Sequence, residues 1–347
     1  IARELTKLLE PRLSYACYAF RERFNCHKVI CNLSGYLRKH KRQQVFFYKT
    51  DVKSYFDTMP VDNQSLLWQQ LNDLLRSSGI EQGDCLWQLI ANFVRSPSLN
   101  TDGLLQTNLI GTATGSALSA MLSNMYLSDL DHEISAIPGA FYARFVDDIF
   151  ICHTDRAILE SAKQKVHEHM KLKRLTLKLE KDVHGVFSAK PYDGLAHYAS
   201  INYLGYKITA NGLYCFSTSQ QRKLLHRVYL SIDNIVATNK TLSVEELGRR
   251  VCKHTSNFLI NSETMYLNRN IYMASNDHEQ LKRLDYFIAL HIAKKISGIY
   301  SAKAFRQIPY KTIRQQWGLK SLCQLRNHSK VYYEQLKSME STQAEIA

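Results

Sequence analysis

The stretch "ARFVDDIFIC" at residues 143–152 places two adjacent acids, Asp147 and Asp148, inside an apolar and aromatic run. Runs of β-branched and aromatic residues favour buried strands. Burying even one carboxylate costs several kcal/mol or more unless the charge is paired, so two acids need a specific reason to stand there. The pattern predicts a strand–turn–strand hairpin with both acids at its turn. Another part of the molecule must then compensate their charge.

A further acid stands at the end of another predicted strand. The stretch "QVFFYKTDVKSYFD" at residues 44–57 opens with β-branched and aromatic residues, and Asp51 closes that run. Clustered carboxylates repel one another and stay ionised only with compensating cations. Mg²⁺ prefers such oxygen ligands, and two ions about 4 Å apart can bind the attacking and leaving oxygens of a phosphoryl transfer. The alternative is a pair of exposed turn aspartates with no catalytic role.

The order of the motifs resembles that of a known family. Between the two acid-bearing stretches, residues 104–134 move from a Gly- and Thr-rich turn into one long predicted helix, and this segment includes "TGSALSAMLSN" at 114–124. This order resembles the palm domain of reverse transcriptases across about residues 10–215. The stretch "CYAFRERFNCHKVI" at 17–30 is similar to a segment before the palm in group II intron, retron and other prokaryotic members. Within that clan, the chain most resembles the divergent reverse transcriptases of antiphage defence and abortive infection.

The resemblance implies a metal site with two Mg²⁺ ions, for which Mn²⁺ can substitute. The residues of the implied metal set are Asp51, Val52, Asp147 and Asp148, and its three acids are the implied catalytic residues. The family also has a lysine that can protonate pyrophosphate. Lys178 and Lys181 are the candidates for that general acid, with ordinary surface lysines as the alternative.

The resemblance also implies nucleotide-binding and primer-binding residues. The implied nucleotide-binding residues are Lys53, Tyr55, Phe56, Gly115 and Ser116. Phe56 falls where the family has an aromatic steric gate that rejects a 2′-hydroxyl and so favours deoxynucleotides. A phenylalanine packed in the core is the alternative. The residues of the implied primer-grip hairpin are Tyr203, Leu204, Gly205 and Tyr206.

Two features depart from the family pattern. The second motif usually reads Pro-Gln-Gly-Ser-Pro-x-Ser-Pro, whereas residues 113–120 here read Ala-Thr-Gly-Ser-Ala-Leu-Ser-Ala. The glutamine touches template and nucleotide in relatives, so its replacement weakens the expectation of ordinary templated copying. A fingers segment with Lys and Arg that grip the triphosphate is not recognisable in residues 1–20, which predicts that this segment is missing from the chain.

The composition favours a polyanionic partner. The 347 residues carry 45 Lys and Arg against 31 Asp and Glu, a formal charge of +14 that favours nucleic acid. The predicted nucleic-acid-binding residues are Arg21, Arg23, Arg144, Arg222 and Lys223. Eight cysteines without a Cys-x-x-Cys pair are typical of reduced thiols in a cytosolic protein. Neither a membrane-length apolar run nor a signal peptide is visible, so we expect a bacterial cytoplasmic protein with no membrane partner.

The sequence predicts an α+β fold, in which a right-hand polymerase palm of antiparallel sheet and helices precedes an all-α thumb and C-terminal region. The predicted parts are residues 1–43 with fingers-related helices, 44–216 with the palm and 217–347 with the thumb. Strands are expected at 175–187 and 201–216. Helices are expected at 218–237, 243–260, 277–297 and 302–339, the second of them opening with a capping box at 243–246.

Together these features predict an RNA-directed DNA polymerase that joins dNTPs to a 3′-hydroxyl and makes DNA on an RNA template. A bacterial antiphage defence system, with a dedicated non-coding RNA as one candidate template, is the predicted setting. The alternatives are template-independent or protein-primed synthesis by the same palm, a retron or group II intron type reverse transcriptase, a viral-type RNA polymerase, and a non-catalytic nucleic-acid-binding scaffold. The three acids disfavour the scaffold, and the spacing of Gly115, Ser119 and Asn124 disfavours the RNA polymerase. The oligomeric state stays open.

Overall fold

The chain forms two compact units. The computed structural model describes residues 1–22, 24–99, 104–106, 109–260 and 275–326. The first unit consists of residues 1–200 with 210–212, and the second consists of 201–209 with the described residues from 213 onward. The three-part division at residues 43 and 216 stays a prediction.

The first unit combines helices with a five-stranded sheet. Its helices are α1 (Ala2–Leu9), α2 (Cys26–Lys39), α3 (Tyr55–Thr58), α4 (Leu66–Arg76), α5 (Cys85–Val94), α6 (Ala117–Tyr126), α7 (Ser128–Ser135) and α8 (Arg156–Leu172). Its strands are β1 (Phe46–Asp51), β2 (Ser98–Leu99), β3 (Leu105–Gln106), β4 (Phe141–Phe145), β5 (Asp148–His153), β6 (Val183–Phe187) and β7 (His197–Tyr198). The short strands β2 and β3 pair in a separate antiparallel ribbon.

The five-stranded sheet has the order β4-β5-β1-β6-β7. Its neighbouring strands are antiparallel except for β6 and β7, which are parallel. The strands β4 and β5 form the predicted hairpin, in which Phe145 pairs with Asp148. The strand β1 lies beside β5 in a register that pairs Asp51 with Asp148. The sheet register therefore brings the acid of β1 next to the acids of the hairpin.

The helix α8 supports the two strands that carry these acids. It buries Leu159, Ala162, Val166 and Met170, which recur at helical spacing along one face. These side chains share one core cluster with apolar residues of β1 and β5. Asp155 caps the helix, because its carboxylate accepts hydrogen bonds from N–H groups of the first turn.

The long helix predicted after the glycine turn is two helices, α6 and α7. The helix α6 begins after Ser116, whose hydroxyl oxygen accepts a 3.2 Å hydrogen bond from the N–H of Leu118. At Leu127 the backbone leaves helical geometry, with φ −105° and ψ 10°, before α7 starts. The prediction of one continuous helix is therefore wrong. The spacing of apolar residues continues across Leu127, so the sequence pattern did not reveal the break.

The second unit joins a three-stranded sheet to helices. Its elements are β8 (Ser200–Tyr203, of which the first residue belongs to the first unit), β9 (Tyr206–Thr209), β10 (Tyr214–Phe216), α9 (Thr218–Thr238), α10 (Val244–Ile260), α11 (His278–Ser297) and α12 (Ala304–Gln307). The predicted capping box is confirmed, since the Glu246 carboxylate accepts from the Ser243 N–H at 3.2 Å and the Ser243 hydroxyl accepts from the Glu246 N–H at 3.3 Å. The helix α11 ends at Gly298, whose φ of +71° suits a helix C-terminus. The predicted α+β class, with an antiparallel-rich sheet followed by helices, is confirmed.

Two further secondary-structure predictions are wrong. The strand expected at 175–187 begins only at Val183, because residues before it turn into a 3₁₀ helix at Leu179–Lys181. The single helix expected at 302–339 is interrupted after α12, where Pro309 has no N–H to donate, and the chain continues as a π-helix at Thr312–Gln316. Residues 327–339 lie outside the described residues. Among the helices that the structure describes, none is long and apolar enough to cross a membrane.

Candidate active site

The acids of β1 and of the β4–β5 hairpin meet at one end of the sheet. Asp51 ends β1, Asp148 begins β5, and the two residues pair across the strands. Asp147 lies in the hairpin turn, where its carbonyl accepts a 3.1 Å hydrogen bond from the N–H of Val52. Val146, directly before it, has a left-handed φ of +62°, which is uncommon for a β-branched residue. An unfavourable turn conformation therefore precedes the two acids.

The three carboxylates form a close cluster. One oxygen from each of Asp51, Asp147 and Asp148 lies within 4.8 Å of the others. Asp51 is buried, and the other two are partly buried. Burial, helped by the negative charges of Asp147 and Asp51, raises the pKa of Asp148 to about 6. Burial and the charge of Asp51 also raise the pKa of Asp147. The site thus resists holding three negative charges without a cation.

Lysine side chains supply part of the missing positive charge. The Nζ of Lys181 donates a 2.6 Å hydrogen bond to Oδ2 of Asp51, and this bond raises the pKa of Lys181. The positive charge of Lys49 opposes the rise in the pKa of Asp148. The 3₁₀ helix at Leu179–Lys181 positions the first of these lysines, because it turns the chain back toward the end of β1.

The chain matches a family model described as "Reverse transcriptase (RNA-dependent DNA polymerase)" over residues 1–208. The chain belongs to the reverse transcriptase family. The matched range includes the three acids and every strand of the five-stranded sheet. A comparison with curated proteins found no match.

Solved structures with similarity to this chain include two telomerases. Apo telomerase from Candida tropicalis has a TM-score of 0.50 at 12% identity, with 91% of this chain and 59% of that chain covered. Telomerase from Candida albicans in complex with the TWJ fragment of telomeric RNA has a TM-score of 0.48 at 12% identity, with coverage of 91% and 53%. A foamy viral protease-reverse transcriptase in complex with RNA/DNA hybrid has a TM-score of 0.33 at 15% identity, with coverage of 71% and 27%. The chain spans about half the length of these telomerases.

Four of the predicted nucleotide-binding residues lie in accessible positions. Gly115 is exposed with a left-handed φ of +86°, and Ser116 follows it as the cap of α6. Lys53 is exposed, two residues after Asp51. The Phe56 ring is partly buried. Their roles in nucleotide binding stay predictions.

Tyr55 belongs to the core instead. Its side chain is buried, and its hydroxyl donates a 2.7 Å hydrogen bond to the carbonyl of Ser123 in α6. The prediction that Tyr55 binds the nucleotide is therefore wrong, because both its ring and its hydroxyl are engaged inside the protein.

Two predicted nucleic-acid contacts are also internal. Arg144 is fully buried and its Nη2 lies 2.5 Å from Oδ2 of Asp131, so the prediction that it binds nucleic acid is wrong. Arg21 is enclosed as well, with ion-pair and hydrogen bonds to the carboxylate of Glu10 and the carbonyl of Ser14, and the same correction applies to it. In both cases the guanidinium donors satisfy acceptors of the protein.

The remaining predicted nucleic-acid contacts stay predictions. Arg222 and Lys223 are exposed on α9 of the second unit. Arg23 lies outside the described residues. Exposed cations on a helix suit sequence-independent contact with backbone phosphates.

The predicted primer-grip residues form a tight hairpin turn. Tyr203 ends β8 and Tyr206 begins β9, and both side chains are buried. Between them Leu204 and Gly205 have left-handed φ values of +47° and +81°. The hairpin is confirmed, and its contact with a primer stays a prediction.

The two general-acid candidates, Lys178 and Lys181, contact Asp51 in different ways. The side chain of Lys181 contacts Asp51, whereas the contribution of Lys178 is its N–H, which donates a 2.8 Å hydrogen bond to the carbonyl of Asp51. The structure therefore favours Lys181 as the lysine at the acids, although its role in catalysis stays a prediction.

One residue of the site's surroundings escaped sequence reasoning. Asp131 in α7 is fully buried and receives Arg144. A signal was present, because Asp131 follows Leu127 by four residues and precedes Ile134 by three, which places it on the apolar face of the helix. A charge on such a face predicts a buried partner.

Proposed function

We propose that the chain is an RNA-directed DNA polymerase that adds dNTPs to the 3′-hydroxyl of a primer by phosphoryl transfer. One observation carries the proposal. Asp51, Asp147 and Asp148, supplied by two neighbouring strands, bring carboxylate oxygens within 4.8 Å of one another in a chain of the reverse transcriptase family. Such a cluster is unfavourable by itself and becomes favourable with bound cations.

The residues present fit a site for divalent metal ions. Carboxylate oxygens are the ligands that Mg²⁺ and Mn²⁺ prefer. We assign the holding of two Mg²⁺ ions to Asp51, Asp147 and Asp148, with Val52 beside them. When bound, such ions stabilise charge on the attacking and leaving oxygens of the transfer. The protein's own part is position, since the β1–β5 register and the hairpin turn fix the three carboxylates relative to each other.

Residues around the acids would bind the reactants. Lys53, Gly115 and Ser116 would contact the dNTP, and Phe56 would exclude a 2′-hydroxyl. Lys181 would donate a proton to the pyrophosphate after release from Asp51. The bond to Asp51 raises the pKa of Lys181 and so keeps it protonated until that release, and its side chain is exposed. In the second unit, the hairpin Tyr203–Tyr206 would hold the primer, while Arg222 and Lys223 would contact phosphates of the nucleic acid.

The biological setting is the finer part of the proposal. We place the enzyme in a bacterial antiphage defence system in the cytoplasm, with an RNA template that can be a dedicated non-coding RNA. The similarity of residues 17–30 to prokaryotic reverse transcriptases and the divergent second motif at 113–120 support this setting.

A second candidate function is DNA synthesis without an RNA template, or from a protein primer, by the same acids. The observation that favours it is Thr114, which stands where family members carry the glutamine that touches template and nucleotide. The chemistry at the three acids is the same in both candidates.

Primer extension tests the proposal. The purified chain is incubated with a DNA primer annealed to an RNA oligonucleotide, Mg²⁺, and either one dNTP at a time or all four. We expect extension that follows the RNA sequence, and we expect Asp147→Asn to lower its rate by at least about 10⁴-fold because a metal ligand is lost. Asp73→Asn is the matched control, since Asp73 is an exposed acid of α4 that lies outside the cluster.

The products separate the candidates. Long products from a single dNTP, independent of the RNA sequence, would favour untemplated synthesis. Extension with ribonucleoside triphosphates but not with dNTPs would contradict a DNA polymerase. Activity that survives Asp147→Asn would remove the metal argument altogether.

A further inference from the structure

We infer that Arg144, held by Asp131, is a positioning residue that fixes the hairpin turn so that Asp147 and Asp148 face Asp51. This inference rests on the proposed function, because it concerns the geometry of the same acids. Arg144 touches none of the three carboxylates in the hydrogen bonds that the structure describes, and it acts through the backbone of the turn.

The pair of Arg144 and Asp131 is a rigid internal anchor. Both side chains are fully buried. The Nε of Arg144 donates to Oδ1 of Asp131 at 2.8 Å, and Nη2 donates to Oδ2 at 2.5 Å, which is the two-pronged geometry that fixes a guanidinium. The hydroxyl of Tyr142 donates to Oδ1 of the same carboxylate at 2.7 Å. Asp131 therefore determines where the rest of the guanidinium points.

The guanidinium also reaches the backbone carbonyl directly before the acids, a carbonyl of α6 and the sulfur of Cys17. Nη1 donates a 3.1 Å hydrogen bond to the carbonyl of Val146, which belongs to the peptide group directly before Asp147. Nη2 also donates to the carbonyl of Asn124 in α6 at 3.2 Å. The peptide group after Asp147 is held from the other side, by the N–H of Val52 on the β1 side. Both peptide groups that flank Asp147 are thus fixed.

The turn needs such fixing because its conformation is unfavourable. Val146 has a φ of +62°, a left-handed conformation that a β-branched residue adopts only when its surroundings impose it. The hydrogen bond from Arg144 to the Val146 carbonyl is one of these surroundings. Without it, we expect the turn to relax toward ordinary φ values and to rotate the carboxylates of Asp147 and Asp148 away from Asp51.

The backbone of Arg144 is fixed as well. Its N–H donates a 2.8 Å hydrogen bond to the carbonyl of Ala16, and its carbonyl accepts a 2.9 Å hydrogen bond from the N–H of Tyr18. Residues 16–18 thereby lie alongside β4 at this one position. Side chain and backbone of Arg144 therefore act as one rigid support for the turn.

The test combines two substitutions that act on the same turn from different sides. Arg144→Lys keeps a positive charge for Asp131 but loses the forked donors. Val146→Gly removes the cost of the left-handed conformation, because glycine adopts φ values of this kind freely. The four proteins are the wild type, each single variant, and the double variant Arg144→Lys/Val146→Gly. Mn²⁺ binding to the protein without nucleic acid is followed by titration, and kcat and KM for dNTP are measured by primer extension.

We expect Arg144→Lys to weaken Mn²⁺ binding and to lower kcat, each by about 10- to 100-fold, which is typical for residues that orient metal ligands. The KM for dNTP should change by less than about threefold, since the inferred role does not involve nucleotide contact. Addition of Val146→Gly should restore a large part of both losses. A merely structural role predicts the opposite for the double variant, because the added glycine increases the flexibility of an already weakened protein.

Two results would overturn the inference. One is a folded Arg144→Lys variant with wild-type Mn²⁺ affinity and kcat, and the other is a loss that Val146→Gly does not recover. If Arg144→Lys does not fold, the double variant Asp131→Asn/Arg144→Gln replaces it in the same comparison. It removes both charges of the pair, so neither is left buried without a partner. The Mn²⁺ titration needs no polymerase activity, so failure of the proposed function and failure of this inference are distinguishable.

Discussion

Asp131 and the cluster of Asp51, Asp147 and Asp148 are fully or partly buried carboxylates of the same unit, and their charges are compensated differently. Asp131 is fully enclosed, and a buried guanidinium and a tyrosine hydroxyl satisfy it. In the cluster, one oxygen from each of the three carboxylates lies within 4.8 Å of the others, and Lys181 forms an ion pair with Asp51 at its edge. A buried acid with an internal partner needs no ligand, whereas the cluster retains negative charge that a metal ion can use.

The largest effect is expected when the internal pair is broken. Arg144→Met should lower the free energy of unfolding by about 3 to 5 kcal/mol, because the charge of Asp131 stays buried without its partner. Urea unfolding in the presence of EDTA measures this loss of stability. Arg174→Met is the control in the same unit, since it breaks the more exposed pair with Asp62 and should cost less than about 1 kcal/mol. Equal losses in the two variants would contradict the difference between buried and exposed pairs.

The roles of two neighbouring lysines, Lys181 and Lys178, can be compared directly. Lys181→Met should lower the rate of a single nucleotide addition by about 10²-fold, if its ammonium group donates the proton to the leaving pyrophosphate. Lys178→Met should change the rate by less than about threefold, because the N–H that it gives to Asp51 belongs to the backbone and survives the substitution. Rapid-quench kinetics of both variants measures these rates. A similar loss in both would show that general positive charge matters, and not the contact with Asp51.

The smallest effect concerns the pH dependence of stability. The pKa of Asp148 is about 6 in the folded chain, against an ordinary value of 3.8, so between these values the folded chain binds a proton that the unfolded chain has lost. The free energy of unfolding of the metal-free protein should therefore fall as pH rises from about 4 to about 6. Asp148→Asn removes the contribution of Asp148 to this dependence, while that of Asp147, whose pKa is also raised, remains. The variant should be more stable than the wild type by about 1 to 2 kcal/mol at pH 8.

Thermal or urea unfolding in EDTA at several pH values checks this expectation. At pH 4, where Asp148 is protonated in the folded chain, the variant and the wild type should have nearly the same stability. Asp73→Asn serves as control, because it makes the same acid-to-amide change at an exposed position outside the cluster. A wild type that gains stability between pH 4 and 6 relative to Asp148→Asn would show that the charge of Asp148 is favourable in the metal-free protein.

The sequence predicted the parts of the site that local patterns determine. The apolar run around Asp147 and Asp148 and the strand that ends at Asp51 are each visible within about ten residues, and their order along the chain indicated that they meet. The hairpin, the strand pairing and the cluster all follow in the structure. The metal itself and the roles of the acids rest on the family and on the tests above.

The sequence did not predict the contacts that depend on partners distant along the chain. Arginine is normally an exposed residue, so the sequence suggested that Arg144 contacts nucleic acid. The structure instead pairs it with Asp131, which lies in another element, α7. Tyr55 lies between residues that suit a nucleotide site, and its burial depends on α6, more than sixty residues further on. Helical spacing likewise carried no information about the break at Leu127 or the π-helix near the end of the described chain.

The hydrogen bonds between residues 16–18 and Arg144 bear on how the protein can be divided into pieces. A fragment that starts at residue 44 would contain all three acids and all five strands of the sheet, and would look complete by its motifs. It would nevertheless lack Ala16 and Tyr18, the backbone partners of the residue that supports the acid-bearing turn. The smallest piece able to assemble this site must therefore begin upstream of Ala16, and proteolytic cleavage in that segment should report on whether the site is intact.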